Sequence, residues 1–517
     1  TNNSTYNLFG IYAGVSNKNF RNYIKNNELH HILVTYDSLP KLISWLEVLG
    51  INAYDYRALF DEYHLLITEM GYRSKAIENL VKVATKFKHY TFMSATPIRE
   101  KFLPKVLADL PYTEIQWTNT KTIKPTRFNT HCVYKTTVRL LNELKNGLTI
   151  DDKSVDEIFV FTNTVIGIKQ IIDSANLSPD EVKIVCADTI RNKQVLGDYE
   201  ISKMTGSNKR FNFFTAKGFQ GCDLFSKSGL CIVVSDSKRK HTLTDIQTTL
   251  YQISGRIRDV DNAFADRLFH VYSTGYVTQT EEDYLKEKQD SIENAHMLIT
   301  TQNNFEEKIR LKYRRMLNIE SEFVVFNEET NLYEYSEFKD KFSDYNYELT
   351  QHIYNNGLSI RQAYVDANID PGKQQYTWNE DKDIELVKRV TTVNFKTLLE
   401  QYIELRDSNE DFELIKQYEL EHPIFKEAYE KLGIKTINSC KFVENNIKEK
   451  LYATDVSRSK ELKEIVLDKF NTNTFYSLKE IKTELQAIYK SLGIKAKAKT
   501  TDLEVHFTIE YNKKKLE

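Results

Sequence analysis

The sequence predicts an α/β protein: two successive parallel-sheet lobes, then a mostly α-helical accessory region and a small C-terminal module. Three observations lead there. Short apolar runs of strand length alternate with amphipathic stretches of helix length through the first part of the chain, which is how parallel sheets flanked by helices are written. The alternation lapses over a polar stretch and then restarts. After about Gly275, charged segments of helical period take over and Pro and Gly become scarce.

In the first lobe, residues 31–36 form an apolar run, followed by an amphipathic stretch over 39–49. Residues 56–60 and 90–93 read as further strands, with a helical pattern over 74–87 between them. Residues 117–130, containing Pro125, read as a polar connection. In the second lobe the strand-like runs are 157–161, 182–186, 212–215, 230–235 and 267–272, with helices over 164–174 and 244–253. Near the end, Ser477 to Glu480 fits a capping box, and Leu478, Ile481, Leu485 and Ile488 form one apolar stripe. A strand-like stretch follows at 504–511. The expected boundaries are 1–120, 121–278, 279–450 and 451–517.

The 517 residues are 41% hydrophobic, which suits a globular protein. No run approaches the roughly 18 apolar residues of a membrane span, and no secretory signal opens the chain. Five scattered cysteines with no CxxC pair argue for a reducing compartment and against a zinc site. Net charge is −2, but residues up to 278 carry about +7 and the rest about −9. A front half that binds nucleic acid and an acidic back half is one reading; ordinary charge scatter is the other.

Chemistry enters with the run Leu59-Phe60-Asp61-Glu62-Tyr63-His64. Its acidic pair follows an apolar strand, where a nucleotide-hydrolysing enzyme places an Asp for Mg²⁺ and a Glu for the attacking water. Alone, the pair also suits a surface turn. Ser94, Ala95 and Thr96 end the next strand. Phe159 to Thr164, including Thr162, joins a strand to an N-cap Thr. Thr215, Lys217, Gly218, Gly221 and Asp223 combine phosphate-contacting residue types with glycines that permit close backbone approach. Gln252, Arg256 and Arg258 follow; arginines can stabilise charge in phosphoryl transfer, or serve in salt bridges.

In this order, these residues resemble a superfamily 2 helicase of the DExH group, over about residues 1 to 275. Asp61 to His64 is similar to motif II, Ser94 to Thr96 to motif III, Thr215 to Asp223 to motif V, and Gln252 to Arg258 to motif VI. Residues 33–39 resemble motif Ib. The resemblance implies two tandem RecA-like lobes, the first incomplete, with ATP and Mg²⁺ as cofactors. It implies that Asp61 holds Mg²⁺, that Glu62 is the base, and that His64 and Gln252 link the γ-phosphate to lobe closure. Ser94 and Thr96 would couple nucleotide state to nucleic acid. Thr35, Thr162, Thr215, Lys217 and Gly218 would touch the nucleic-acid backbone. Gly221 and Asp223 would lie at the nucleotide, Asp223 near the ribose. Arg256 and Arg258 would be arginine-finger candidates.

Two departures stand out. Motif VI usually ends with an Arg three places after its first; here Arg258 comes two places after Arg256, and Asp259 takes the expected position. That form resembles viral origin-binding helicases and their phage relatives. The larger departure is that no G-x-G-K-[ST] phosphate loop exists in the chain, and Gly10 to Gly14 is a poor substitute. The expectation is a chain truncated before Thr1, which is not a Met, or else a degenerate member.

The function expected is an ATP-dependent DNA helicase or translocase in phage or mobile-element replication, cytoplasmic in a bacterial or phage-infected cell. Its partners would be single-stranded or forked DNA, with RNA left open, and a replication protein docking on residues 279–517. The alternatives are a non-catalytic helicase-fold scaffold and an RNA helicase.

Overall fold

Four short strands build the first lobe. Strand β1 (Leu8–Ile11) pairs in parallel with β2 (His31–Val34), and β3 (Arg57–Phe60) with β4 (His89–Phe92). Parallel neighbours need helical crossovers; helix Asn17–Asn26 supplies the one between β1 and β2 and helix Met70–Ala84 the one between β3 and β4, while helix Leu39–Val48 joins the two pairs. Helix Asn17–Asn26 starts on Ser16, whose hydroxyl accepts the Asn19 N–H. The β3–β4 pairing continues past the strand ends: Met93 N–H donates to the Phe60 carbonyl at 2.9 Å and Tyr63 N–H to the Met93 carbonyl at 3.0 Å. The loops carrying Asp61–Glu62 and Ser94–Thr96 therefore leave the same edge of the lobe side by side.

The second lobe is a seven-stranded, wholly parallel sheet. Its strands are β5 (Lys124–Asn129), β8 (Glu157–Phe161), β9 (Val182–Val185), β10 (Phe211–Phe214), β11 (Gly229–Ser235), β12 (Arg267–Tyr272) and β15 (Lys373–Gln375). Their order is β15-β5-β12-β11-β8-β10-β9. Every residue of β11 is buried, as expected of a strand covered on both faces. Two hairpins stand apart from this sheet: β6 (Thr149–Ile150) with β7 (Lys153–Ser154), and β13 (Val324–Asn327) with β14 (Leu332–Tyr335). The fold class read from the sequence is thus the one observed: α/β, two successive lobes, then a mainly helical remainder.

This computed structural model describes residues 7–12, 14–116, 122–275, 278–316, 322–375, 394–408, 412–457, 460–472, 474–492, 497–507 and 509. They form two compact units. One comprises residues 1–187 and 198–389, the other 188–197 and 390–517. In the first unit one core runs from Phe9 and Phe20 through Phe60 and Phe161 to Tyr345, Tyr354 and Tyr364. In the second, Leu399, Tyr402, Phe425 and Ile447 form one core, and Leu462, Val466, Ile481 and Leu485 another. Helix Ile190–Leu196 belongs to this second unit, where the Glu421 carboxylate accepts the Ile190 N–H at 3.2 Å.

Three local expectations are corrected. The polar connection 117–130 contains β5, which pairs with β12 on one side and β15 on the other; residues 117–121 lie outside the described residues. Pro125 sits one residue into β5, before its pairing with β15 begins at Thr126, so its missing N–H breaks no bond to β15. The largely helical stretch after 278 carries the β13–β14 hairpin and returns β15 to the second lobe's sheet. The strand-like stretch at 504–511 begins inside a 3₁₀ turn over Thr500–Val505, closed by Asp502 on the Lys499 N–H; residues 508, 510 and 511 lie outside the described residues. The Ser477 capping box is present, with Glu480 reaching back to the Ser477 N–H at 2.7 Å. No described helix is long and apolar enough to cross a membrane.

Candidate active site between two parallel-sheet lobes

Ligand sites of parallel α/β sheets form beyond the carboxyl ends of the strands. Asp61 and Glu62 stand there, directly after β3. Glu62 adopts a left-handed backbone, φ +54°, a conformation that costs energy for a residue with a Cβ and often marks functional positions. The turn is held from within and from beside. Asp61 Oδ1 accepts the Glu62 N–H at 2.9 Å, and the Tyr36 hydroxyl, from the loop after β2, donates to the Asp61 carbonyl. Asp61 is left exposed and Glu62 half-buried.

Glu62 is the hub of a polar network that joins the lobes. From the first lobe, the Ser94 hydroxyl donates to its Oε2 at 3.2 Å. From the second, the Gln252 amide lies 3.0 Å from Oε1 and 3.2 Å from Oε2, and 3.1 Å from Thr96 Oγ1. Burial is the main cause that raises the Glu62 carboxyl above its ordinary range, with the neighbouring Asp61 charge next; the Ser94 and Gln252 hydrogen bonds and the Arg256 charge oppose the rise. The result is a carboxylate that is more basic than usual yet well positioned, the combination a general base requires.

His64 is fully buried below Glu62. Its Nδ1 lies 2.8 Å from Ser94 Oγ and 3.3 Å from Glu62 Oε2, and its Nε2 lies 3.1 Å from the Gln220 side-chain nitrogen. Burial lowers its pKa to about 4, so the imidazole is neutral near pH 7. Across the lobes Gln252 meets Glu62 and Thr96, whereas His64 meets Gln220. Sequence reasoning overlooked Gln220. Its only signal was its place beside Gly221, whose φ of +68° turns the chain sharply just after it.

The two arginines have different surroundings. Arg256 is buried and spent: Nε donates to the Gln252 carbonyl at 2.8 Å, Nη2 to the Gln252 Oε1 at 2.8 Å, and Nη1 to the Cys222 carbonyl at 3.2 Å. It aims the Gln252 amide at Glu62. Arg258 is exposed and pairs with Asp223 at 2.9 Å, so the two residues expected at the nucleotide stand together on the surface.

The residues expected to touch nucleic acid separate into two kinds. Thr215, which is buried, directly follows β10 and opens a 3₁₀ turn through Lys217 and Gly218; the Gly218 N–H donates to the Thr215 carbonyl at 2.7 Å. Lys217 is exposed, with its ammonium 3.2 Å from the Cys186 carbonyl. Thr35 is exposed and bonds Ser38 at 3.0 Å. Thr162 is buried, and its hydroxyl has no hydrogen-bond partner among the described residues. Its neighbour Asn163 ties this turn to the next, accepting the Ala216 N–H and donating to the His241 carbonyl.

For a metal, Asp61 offers an exposed carboxylate. Among the described residues no three His, Cys, Asp or Glu side chains gather around one point. That donor set suits Mg²⁺, which protein sites commonly hold through one or two carboxylates, waters and substrate phosphates.

The sequence matches no family model and no curated protein. Solved structures to which the chain is similar are helicases. Mss116p bound to ssRNA and AMP-PNP aligns at 12% identity, over 90% of this chain and 73% of that one, with a TM-score of 0.38. The Mycobacterium smegmatis helicase Lhr, bound to ssDNA and AMP-PNP, aligns at 11% identity over 83% of this chain and 61% of its own, with a TM-score of 0.34. A hypothetical ATP-dependent RNA helicase from Sulfolobus tokodaii aligns at 15% identity over 55% and 74%, with a TM-score of 0.20. Likenesses this distant carry no argument about the chemistry of this chain, which rests on its own residues.

Proposed function

We propose that this chain is an ATP-dependent nucleic-acid helicase or translocase of superfamily 2, of DExH type, acting on DNA in phage or mobile-element replication. The observation that carries this reading is the Glu62 carboxylate at the end of β3, bonded at once by Ser94 from its own lobe and Gln252 from the other. A base whose geometry depends on both lobes is active only in one of their arrangements, which is how a motor ties hydrolysis to movement.

The roles follow from position. Asp61 would hold Mg²⁺ beside the turn. Mg²⁺–ATP, when bound, supplies the phosphoryl group and screens its charge. Glu62 would orient and deprotonate the attacking water. Arg258, exposed and paired among the described residues with Asp223, would exchange that partner for a phosphate, whereas Arg256 acts through Gln252. Thr35, Thr215 and Lys217 would meet the nucleic-acid backbone, so binding would weaken with salt.

A second reading is favoured by one observation: the sequence holds no G-x-G-K-[ST] loop to cradle the phosphates. It is a helicase-fold protein that binds nucleic acid without turnover. ATP hydrolysis with and without single-stranded DNA, and with RNA in its place, separates the readings. The first expects DNA-stimulated turnover that Glu62→Gln lowers by about 100-fold or more. The second expects none, with nucleic-acid binding intact in both proteins.

A further inference from the structure

We propose that Gln220 is a positioning residue that fixes which ring nitrogen of His64 carries the proton and, through Ser94, how many hydrogen bonds Glu62 receives. The inference rests on the reading of Glu62 as the base.

A neutral imidazole has one N–H and one lone-pair nitrogen, and its partners decide which is which. His64 has no solvent to turn to. On its Nε2 side stands the Gln220 amide nitrogen, at 3.1 Å. That group only donates, so Nε2 accepts and the ring proton sits on Nδ1. Nδ1–H then points at Ser94 Oγ, 2.8 Å away, with Glu62 Oε2 at 3.3 Å.

Ser94 has a single hydroxyl proton and two candidate acceptors, the imidazole and Glu62. With Nδ1 donating and the Thr96 N–H also donating to Ser94 Oγ at 3.0 Å, both its acceptor positions are filled. Its own proton is left for Glu62 Oε2, at 3.2 Å. Donation therefore runs one way, from Gln220 to His64 to Ser94 to Glu62. Reversing the first bond reverses the second: a proton on Nε2 makes Nδ1 an acceptor, Ser94 donates to the ring, and Glu62 loses one donor. Gln220 lies in the second lobe and His64 in the first. Lobe approach thus sets the hydrogen bonding of the base by a second route, separate from the Gln252 contact.

Gln220 is held for this task by the turn around it. The Cys222 thiol bonds the Gly218 carbonyl at 3.0 Å, and the Cys222 carbonyl accepts from Arg256. The segment between residues 218 and 222 is therefore anchored on both sides of Gln220.

The substitution Gln220→Glu keeps the shape and replaces the donor with an acceptor. Long-range ¹H–¹⁵N correlation of the imidazole ring in the full chain, with His64 assigned by loss of its signal in His64→Asn, reads the tautomer directly. The expected result is Nδ1–H in the parent protein and Nε2–H in Gln220→Glu. An Nε2–H ring in the parent, or no change in the variant, overturns the proposal. Gln220→Met, which can neither donate nor accept strongly, is expected to give a mixture of tautomers; a pure Nδ1–H ring there also overturns it. Where the parent protein hydrolyses ATP, Gln220→Glu is expected to lower kcat about tenfold with KM unchanged, and to lower it no further in a Ser94→Ala background. A full additional tenfold loss there would overturn the route through Ser94. A parent protein without turnover counts against the assigned function alone, and the ring measurement still decides the tautomer.

Discussion

His64 and His270 are the residues at which burial has its clearest electrostatic consequence. Both are fully buried. His270 bonds the Tyr364 hydroxyl at 2.8 Å and lies 3.3 Å from the Ser235 and Tyr354 hydroxyls. Burial, with the Arg127 charge, lowers its pKa to about 3, and burial lowers that of His64 to about 4. In the unfolded chain each titrates near 6.5, so below that pH the unfolded state binds more protons than the folded one. Stability is therefore full above about pH 7 and falls as pH drops towards 4. Each ring accounts for on the order of 3 kcal/mol across that window. Thermal unfolding between pH 7.5 and 4.5 is expected to show Tm falling with pH, and His270→Gln to flatten the slope. A slope unchanged in that variant would mean that His270 is not held neutral. At this scale the sequence revealed the acidic pair, Ser94, Thr96, Gln252 and the arginines by residue type and order. It did not reveal which side chains would meet. Gln220 reaches His64 only because two turns 156 positions apart face each other in the folded chain, and no spacing along the chain encodes that.

Among the elements, the apolar core strands of the second lobe were legible, whereas the polar β5 and the short apolar β1 and β13 were not. Residues 267–272 and 157–161 coincide with β12 and β8 because a strand covered on both faces is mostly apolar. Strand β5, KPTRFN, has one Phe and a Pro, and its place in the sheet comes from pairing with β12 and β15. Strand β15 follows Gly372, whose φ is +60° and where a Cβ would lie 1.8 Å from the Pro125 carbonyl oxygen. No side chain fits there without the backbones separating. Gly372→Ala is expected to lift β15 from β5 and cost about 2 kcal/mol or more. Equilibrium urea unfolding checks this, with faster amide exchange in β5 than in the parent protein. A loss below about 0.5 kcal/mol would show that β15 adds nothing to the sheet.

Across the whole molecule, the change of texture near residue 278 divides the sequence but not the first unit's core. Residues 336–366 are held to both lobes. On the first lobe, Glu348 accepts from Arg99 and Lys101, Ser336 bonds Glu78, and Phe102 meets Tyr345 edge-on at 5.6 Å. On the second, Tyr354 bonds Ser235 and the Thr244 carbonyl, and Tyr364 bonds His270. Phe338, Tyr345, Leu349, Tyr354, Ile360 and Tyr364 are all buried in the common core. Their burial is worth on the order of 10 kcal/mol, which is comparable with the whole stability of a folded domain, roughly 5–15 kcal/mol. A fragment ending at 278 would expose the lobe surfaces these residues cover and leave β5 an open edge, a ready site for aggregation. A fragment ending at 389 keeps both. The expected outcome is a monomeric, cooperatively unfolding 1–389 fragment and an aggregating 1–278 fragment, read by sedimentation velocity and thermal unfolding. Both lack the unit that packs helix Ile190–Leu196, so any difference between them belongs to residues 279–389. Equal, cooperative unfolding of the two would show that the lobes stand without this strap.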